Sequence, residues 1–540
     1  MTALDILLIG ALAVFVIAWW IRALPGRARV LLAAAVVALA AGVAGVLDTR
    51  WQAAAGAMVA VILLLVLGIS RLRKAPRREG VPLVSGPILT LLAAVAVAAI
   101  ILFPVAPLPK PQGQFPVGVR TFEVTDVRRP GLFAAKPNEP RRLLVRVWYP
   151  AGATAGLMRR PYFTDPEANT TGRGIGELVG FPPFFTYLKH VRTNSWVDAP
   201  LSPGAKALPV VIYSHGYTSF LDQNTVLMED LASHGYVVFS VQHTFDASPT
   251  VFPNGDVAEV DPELRAMSKA QAKPTRAQID ALAGATLDAR LNGQLAIRQD
   301  GLAKKDRITR SGVVWADDRR FLHDQLQARA VPAEVAQIIA ASNIDKVGEM
   351  GMSFGGATAG TICMTDPRCA AGINLDGGDF PFQAFDAAMP VPFLMFHSDL
   401  GNMARSLGAA PPAPARSFNE FSYEPFATAG TRSDIYRISL KDSHHLGLSD
   451  FSLFVRRPLR DPLFGSAPSG TMIGAQDAFV RGFFDRHLRG IDNGFPKAEL
   501  AAYHDWVTPL QVHGVRQWWA AKTPEDRAAI KARIEALRKN

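Results

Sequence analysis

The chain has 540 residues, a formal net charge of +10 and only two cysteines, Cys363 and Cys369. That length exceeds one ordinary domain, and so few cysteines exclude both a disulfide-stapled scaffold and a cysteine-built metal site. The positive charge forms no basic stripe and accompanies no aromatic platform motif, so nucleic acid is not an expected partner.

The first hundred or so residues are dominated by Ala, Leu, Val and Ile. Four apolar runs, at about 3–21, 30–47, 53–69 and 87–106, approach or reach the roughly 17–25 residues that cross a bilayer, and residues 1–106 are therefore expected to form a transmembrane region. Asp5 lies near one end of the first run, and no ionisable residue sits mid-span, which argues against an ion or proton pathway. Trp19, Trp20 and Trp51 stand at run ends, where amphipathic rings prefer the interface. A cleavable signal peptide is disfavoured, because the first run lacks a basic leader and a small-x-small site.

Arg22, Arg27 and Arg29 follow the first run, and Arg71, Arg73, Lys74, Arg77 and Arg78 follow the third. The positive-inside rule puts both loops in the cytoplasm. The expectation is a multi-pass protein of the cytoplasmic (inner) membrane, with everything after Pro104 on the extracytoplasmic side. Pro104, Pro107, Pro109 and Pro111 mark a semi-rigid stalk, and residues 107–114 read as a linker.

From Val117 the period changes. Val117–Val127 and Leu143–Tyr149 alternate as an opening hairpin. Apolar strand candidates follow at Pro209–Tyr213, Tyr236–Val241, Lys346–Met350, Ala371–Leu375, Val391–Phe396 and Ile435–Leu440. Helical stretches near Asp222–Ser233, Ala357–Met364 and Gln476–Arg489 alternate with them, which predicts a mostly parallel sheet covered on both faces, the α/β class. One domain over 115–540 results, with a polar helical insertion at about 261–310.

Gly351-Met352-Ser353-Phe354-Gly355 joins a strand candidate to a small-residue helix start. A tight strand–Ser–helix turn needs glycine on both sides and lifts the hydroxyl to the sheet's C-terminal edge, so Ser353 is the candidate nucleophile. Ser214-His215-Gly216-Tyr217 follows Pro209–Tyr213, where such a fold supplies a backbone N–H to an oxyanion. Tyr217 and Phe354 are the candidate donors, with His215 bracing the loop. A base must follow Ser353, with an acid between them in the chain. Ser443-His444-His445 comes just after Ile435–Leu440, and Asp376 and Asp399 both stand at strand ends. Each carboxylate reads equally well as a loop or helix cap. Cys363 and Cys369 are open between pairing with each other and remaining as buried thiols.

Taken in order, Asn194-Ser195, Val210–Gly216, Asp230–Gly235, Gly351–Thr358, Leu375-Asp376, Ser443-x-His445 and Asp450-Phe451 resemble the platelet-activating-factor acetylhydrolase family. The resemblance covers roughly Phe115 to Arg489. It implies an α/β-hydrolase fold, a triad of Ser353, Asp376 and His445, oxyanion donors at Tyr217 and Phe354, and no metal or organic cofactor. Asp399 is the alternative acid, since related bacterial esterases carry theirs on that later strand. The resemblance also implies a carboxylic ester hydrolase acting on phospholipids with short or oxidised acyl chains, with lipid and membrane as partners. Gly174–Lys189, with Phe181, Phe184, Phe185 and Tyr187, resembles the family's lipid-facing region and reads equally well as core. Gly377-Gly378 and the stretch Asp261–Arg310 depart from the family pattern. The rivals are a broader carboxylesterase or polyester hydrolase, and a non-catalytic membrane protein that keeps the fold.

Overall fold

A computed structural model of the protein describes residues 1–72, 81–130, 133, 138–269, 273–378, 384–406, 408–410 and 416–538. The basic residues Arg73, Lys74, Arg77 and Arg78, and positions 270–272 of the insertion, lie outside the described residues. The chain divides into two compact units: Met1–Leu108 with Pro161–Arg192 and Leu453–Arg460, and the remainder.

The first unit is built on four apolar helices, α1 (Ala3–Trp20), α2 (Arg27–Leu47), α3 (Ala53–Leu72) and α4 (Val81–Leu102). Ala3–Trp20 and Arg27–Leu47 are long and apolar enough to cross a membrane; the apolar stretches Ala53–Ile69 and Gly86–Leu102 are shorter. Small residues let the helices approach closely, as in membrane bundles. Ala34, Ala35, Ala38, Ala60, Ala93 and Ala96 line the shared core with Leu8, Leu12 and Phe15, while Leu7, Val14, Val36, Leu65, Leu91 and Val95 face outward. Apolar side chains thus occur on both the packed and the outward faces of these helices.

One charged pair is buried at the end of this bundle. Arg50 Nε donates to both Asp5 oxygens, at 3.0 and 3.1 Å, and Arg50 Nη2 to the Ile100 carbonyl at 3.2 Å. The guanidinium also lies 5.1 Å from the Tyr187 ring centroid. Beside it Trp51 packs against Phe103, Phe181 and Phe184, so most of the Gly174–Lys189 aromatics serve as packing, while Val179 and Phe181 stay exposed. Removing one partner of a buried pair strands the other, typically about 3–5 kcal/mol, whereas replacing both is often neutral. Arg50→Met is expected to lower the thermal midpoint of the full chain in detergent, and Asp5→Asn combined with Arg50→Met to recover most of the loss.

The second unit is organised by an eleven-stranded sheet. In chain order the strands are β1 (Val117–Pro130), β2 (Pro140–Pro150), β3 (Arg159–Pro161), β4 (Arg192–Val197), β5 (Leu208–Ser214) and β6 (Val237–Gln242). The pair β7 (Thr250–Val251) and β8 (Val257–Ala258) forms a separate hairpin. Then follow β9 (Ser342–Met352), β10 (Cys369–Leu375), β11 (Phe393–His397), β12 (Ile435–Leu440) and β13 (Val507–Pro509). The spatial order is β13-β12-β11-β10-β9-β5-β6-β2-β1-β4-β3. β5, β6 and β9–β12 run parallel, and β1–β2, β2–β6 and β12–β13 are antiparallel. Val145, Val147, Val210, Ile212, Val237 and Phe239 form one side of its core with Phe321 and Leu322 of the helix Arg307–Gln327.

After β5 the chain builds β6 on one flank and later returns to place β9 on the other. That reversal is the switch point at which open α/β sheets leave a crevice at the strands' carboxyl ends. The loops after β5, β9, β10 and β12 converge there. The stretch Asp261–Arg310 is largely helical, with Pro262–Lys269, Arg276–Ala283 and Leu287–Lys304 leading into Arg307–Gln327. Cys363 and Cys369 form a disulfide that ties the helix Phe354–Thr365 to β10.

Candidate active site

Ser353 sits between the end of β9 and the helix Phe354–Thr365 with φ +55° and ψ −118°. A residue with a side chain rarely holds positive φ, and such geometry costs roughly 1–3 kcal/mol. The neighbours explain how the turn closes. A Cβ on Gly351 would fall 2.2 Å from the Gly355 carbonyl carbon, and one on Gly355 would fall 2.1 Å from the Ser214 carbonyl oxygen. Only glycine fits at either point, so the nucleophile turn and the loop after β5 press together. The Ser353 N–H donates to the Leu375 carbonyl at 2.7 Å, which ties the turn to β10.

His445 follows β12 and places Nε2 2.9 Å from Ser353 Oγ and Nδ1 2.6 Å from Asp376 Oδ2. Asp376 is buried at the end of β10, also at positive φ (+58°). It accepts from Ser398 N at 2.8 Å and from Ser398 Oγ at 2.6 Å, and His397 Nδ1 lies 3.8 Å away. Burial alone would push this carboxyl up; His397 and His445 outweigh burial and hold it well below the usual carboxylate range. The row therefore contains an ionised carboxylate, an imidazole oriented by it and a hydroxyl within reach of the imidazole. Ser353 and His445 are partly exposed, so a substrate can reach them.

Asp399 is occupied differently. Its oxygens accept from the N–H groups of Gly401, Asn402 and Asp442 at 2.8, 3.1 and 2.8 Å, the geometry of a carboxylate that caps a helix and pins a loop. His444 contributes its backbone N–H to the Phe464 carbonyl. Tyr217 lies in the loop after β5 and its hydroxyl pairs with Ser311 Oγ at 3.0 Å. Phe354 opens the helix after the nucleophile, where N–H groups point off the helix end. The Tyr217 and Phe354 rings meet at 5.0 Å.

Beneath this loop lies a buried polar network in which only His215, expected to brace the loop, is marked by a local sequence motif. It contains His215, His243, Trp315, Asp318 and Arg319, all within 2 % of full burial. His243 stands at the carboxyl end of β6, a position that signals a functional residue in retrospect, but Trp315, Asp318 and Arg319 lie mid-helix among other polar residues. Burial, aided by the neighbouring His243, pushes the His215 imidazole down to about 3, and burial pushes His243 down to about 4 against the pull of Asp318. Both folded values lie below the unfolded value near 6.5, so the unfolded chain binds more protons as pH falls below 6.5. Stability is expected to drop through that window, by about 2 kcal/mol for each imidazole at pH 5. Urea midpoints of the full chain at pH 7 and pH 5 check this.

The family model of platelet-activating factor acetylhydrolase, isoform II, matches residues 100–407, more than half of the chain. The chain belongs to that family. The matched span holds Ser353 and Asp376 and ends before His445. Among curated acetylhydrolase relatives, platelet-activating factor acetylhydrolase from Canis lupus familiaris is 24% identical over 300 residues, 54% of this chain and 60% of that protein. The Bos taurus protein of the same name is 26% identical over 233 residues, 42% of this chain and 46% of its own length. The chain thus spans about half the length of the curated relatives it matches. A solved ferulic acid esterase from Streptomyces cinnamoneus aligns with TM-score 0.50 and 21% identity, covering 76% of this chain and 100% of that one. The two share the α/β-hydrolase fold.

Proposed function

We propose that this acetylhydrolase-family protein is a serine esterase that cleaves lipid-like esters, with Ser353 as nucleophile, His445 as base and Asp376 as the orienting acid. The observation that carries the reading is the hydrogen-bonded row from Ser353 Oγ through His445 to Asp376, at the switch point of the sheet and against the loop after β5. His445 Nε2 takes the Ser353 proton as Oγ bonds to the ester carbonyl carbon. The N–H groups of Tyr217 and Phe354 hold the oxyanion, and the alcohol leaves with the proton from His445. Water then adds to the acyl-enzyme through the same base, which releases the acid and restores Ser353.

The substrates proposed are phospholipids with a short or oxidised acyl chain, on the strength of the family and of the names its relatives carry. The apolar helices hold the protein in the cytoplasmic membrane as a multi-pass anchor, and the basic loops place the catalytic unit outside the cytoplasm. The Cys363–Cys369 disulfide suits that side, where thiols oxidise. The test is hydrolysis by the purified full chain in detergent of phosphatidylcholines with sn-2 chains of graded length. A rate that falls steeply beyond short chains is the expected result. Equal rates on lipid-free aryl and polyester substrates would make it a broad carboxylesterase, and no turnover of any ester would refute catalysis.

A further inference from the structure

Within the loop after β5, the peptide that joins Gly216 to Tyr217 has its carbonyl on one side and the Tyr217 N–H on the other, because a trans peptide is planar. Whatever grips the Gly216 carbonyl therefore aims the Tyr217 N–H. Two donors grip it: His215 Nδ1 at 2.7 Å and the Ser219 N–H at 3.0 Å. The loop also lies against the nucleophile, since a Cβ on Gly216 would fall 3.4 Å from Ser353 Cβ.

The tautomers in this network follow from their neighbours. His215 Nε2 accepts the backbone N–H of His243 at 3.2 Å, which leaves the proton on Nδ1, facing the Gly216 carbonyl. Ser214 Oγ accepts from Arg319 Nη1 at 2.7 Å and lies 2.9 Å from His243 Nε2, so the hydroxyl proton goes to that nitrogen. His243 Nδ1–H then donates to Asp318 Oδ2 at 2.9 Å. Arg141 binds the same carboxylate at 3.1 and 2.7 Å. Trp315 stacks on the His243 ring at 3.8 Å and touches the rings of His215 and Phe354 at 5.0 and 4.9 Å. Ser214–His243–Asp318 has the connectivity of a catalytic triad but is wholly buried, so substrate cannot reach it and it serves as scaffold.

We infer that His215 is a positioning residue for the oxyanion: its Nδ1–H latches the Gly216 carbonyl so that the Tyr217 N–H faces the reacting centre, and the buried Ser214–His243–Asp318 row holds His215 in place. This rests on the serine-esterase reading above. Loss of one oxyanion donor typically lowers kcat about 10²–10³-fold, and an unlatched peptide loses that donor without losing the residue.

The test uses the full chain in detergent, with a short-chain phosphatidylcholine and a trifluoromethyl ketone, which forms a tetrahedral oxyanion on serine. His215→Leu removes the shorter of the two grips on the Gly216 carbonyl and leaves only the Ser219 N–H, which by itself does not fix the tilt of the peptide. It is expected to lower kcat about 10²-fold or more with little change in KM, and to weaken ketone binding in step with kcat/KM. His215→Asn keeps a donor near the Nδ1 position and is expected to retain most activity, whereas His215→Asp puts an acceptor there and is expected to lose it. Comparing Asn with Asp at matched thermal stability keeps the idea testable if His215→Leu does not fold. Wild-type kcat in His215→Leu, or equal kcat in the Asn and Asp variants, would overturn the latch. Turnover that survives Ser353→Ala would instead overturn the esterase reading on which it stands.

Discussion

Ser353→Ala is expected to lower kcat by about 10⁴–10⁶-fold and to abolish covalent labelling by a fluorophosphonate. The hydroxyl oxygen forms the acyl bond, and among the described residues no neighbouring group stands in for it. What remains comes from oxyanion donors and binding, which in comparable enzymes leave about 10³–10⁴-fold over water. The same position carries a stability signature. Ser353 occupies positive φ, and alanine has the same Cβ, so Ser353→Ala is expected to leave the urea midpoint nearly unchanged. Ser353→Gly relieves strain of about 1–3 kcal/mol against about 0.5–1 kcal/mol of added chain entropy, and is expected to raise stability by about 1–2 kcal/mol while also losing activity. Loss of activity together with a gain in stability separates a strained nucleophile from an incidental loop serine, and retained labelling in Ser353→Ala would refute the assignment.

Asp376→Asn is expected to lower kcat about 10⁴-fold at neutral pH, while Asp399→Asn stays within about tenfold of wild type. The Asp376 carboxylate accepts from His445 Nδ1 at 2.6 Å and so keeps the Nε2 lone pair directed at Ser353 Oγ. An amide NH₂ facing Nδ1 forces the other tautomer, whose Nε2–H cannot take the serine proton; a triad aspartate changed this way elsewhere loses about 10⁴. The amide oxygen introduced by Asp376→Asn still accepts from Ser398, so the fold is expected to survive. At Asp399 asparagine is itself a good helix cap, and its partners are backbone N–H groups rather than the imidazole. Steady-state kinetics of both variants at equal folded fraction decides between the two carboxylates. Reversal of the two effects would move the acid to the later strand.

The parts of this protein legible in the amino-acid order are those fixed by short-range physics. Apolar length marks the helices of the first unit, because hydropathy is a local sum. Alternation and glycine placement mark β1, β2, β5, β9 and the Ser353 turn, because a strand's period and a strained bend are written within ten residues. The short strands β3, β4 and β13 carry no such period and leave no local signal. The serine, the two histidines after β12 and the two strand-end carboxylates were likewise visible as types in places.

Apart from the triad that the family resemblance implied, the partnerships have no local signal and were decided by tertiary structure. Asp376 and Asp399 both follow adjacent parallel strands, and only the packing of β10 beside β11 turns one toward His445 and the other into a cap. Asp5 meets Arg50 across 45 positions, and His243 meets Asp318 across 75; neither pair has a local signature, because each is made by elements brought together through their apolar faces. Residue type and local pattern state what a side chain can do, while the long-range burial of apolar surface selects the neighbour with which it does it.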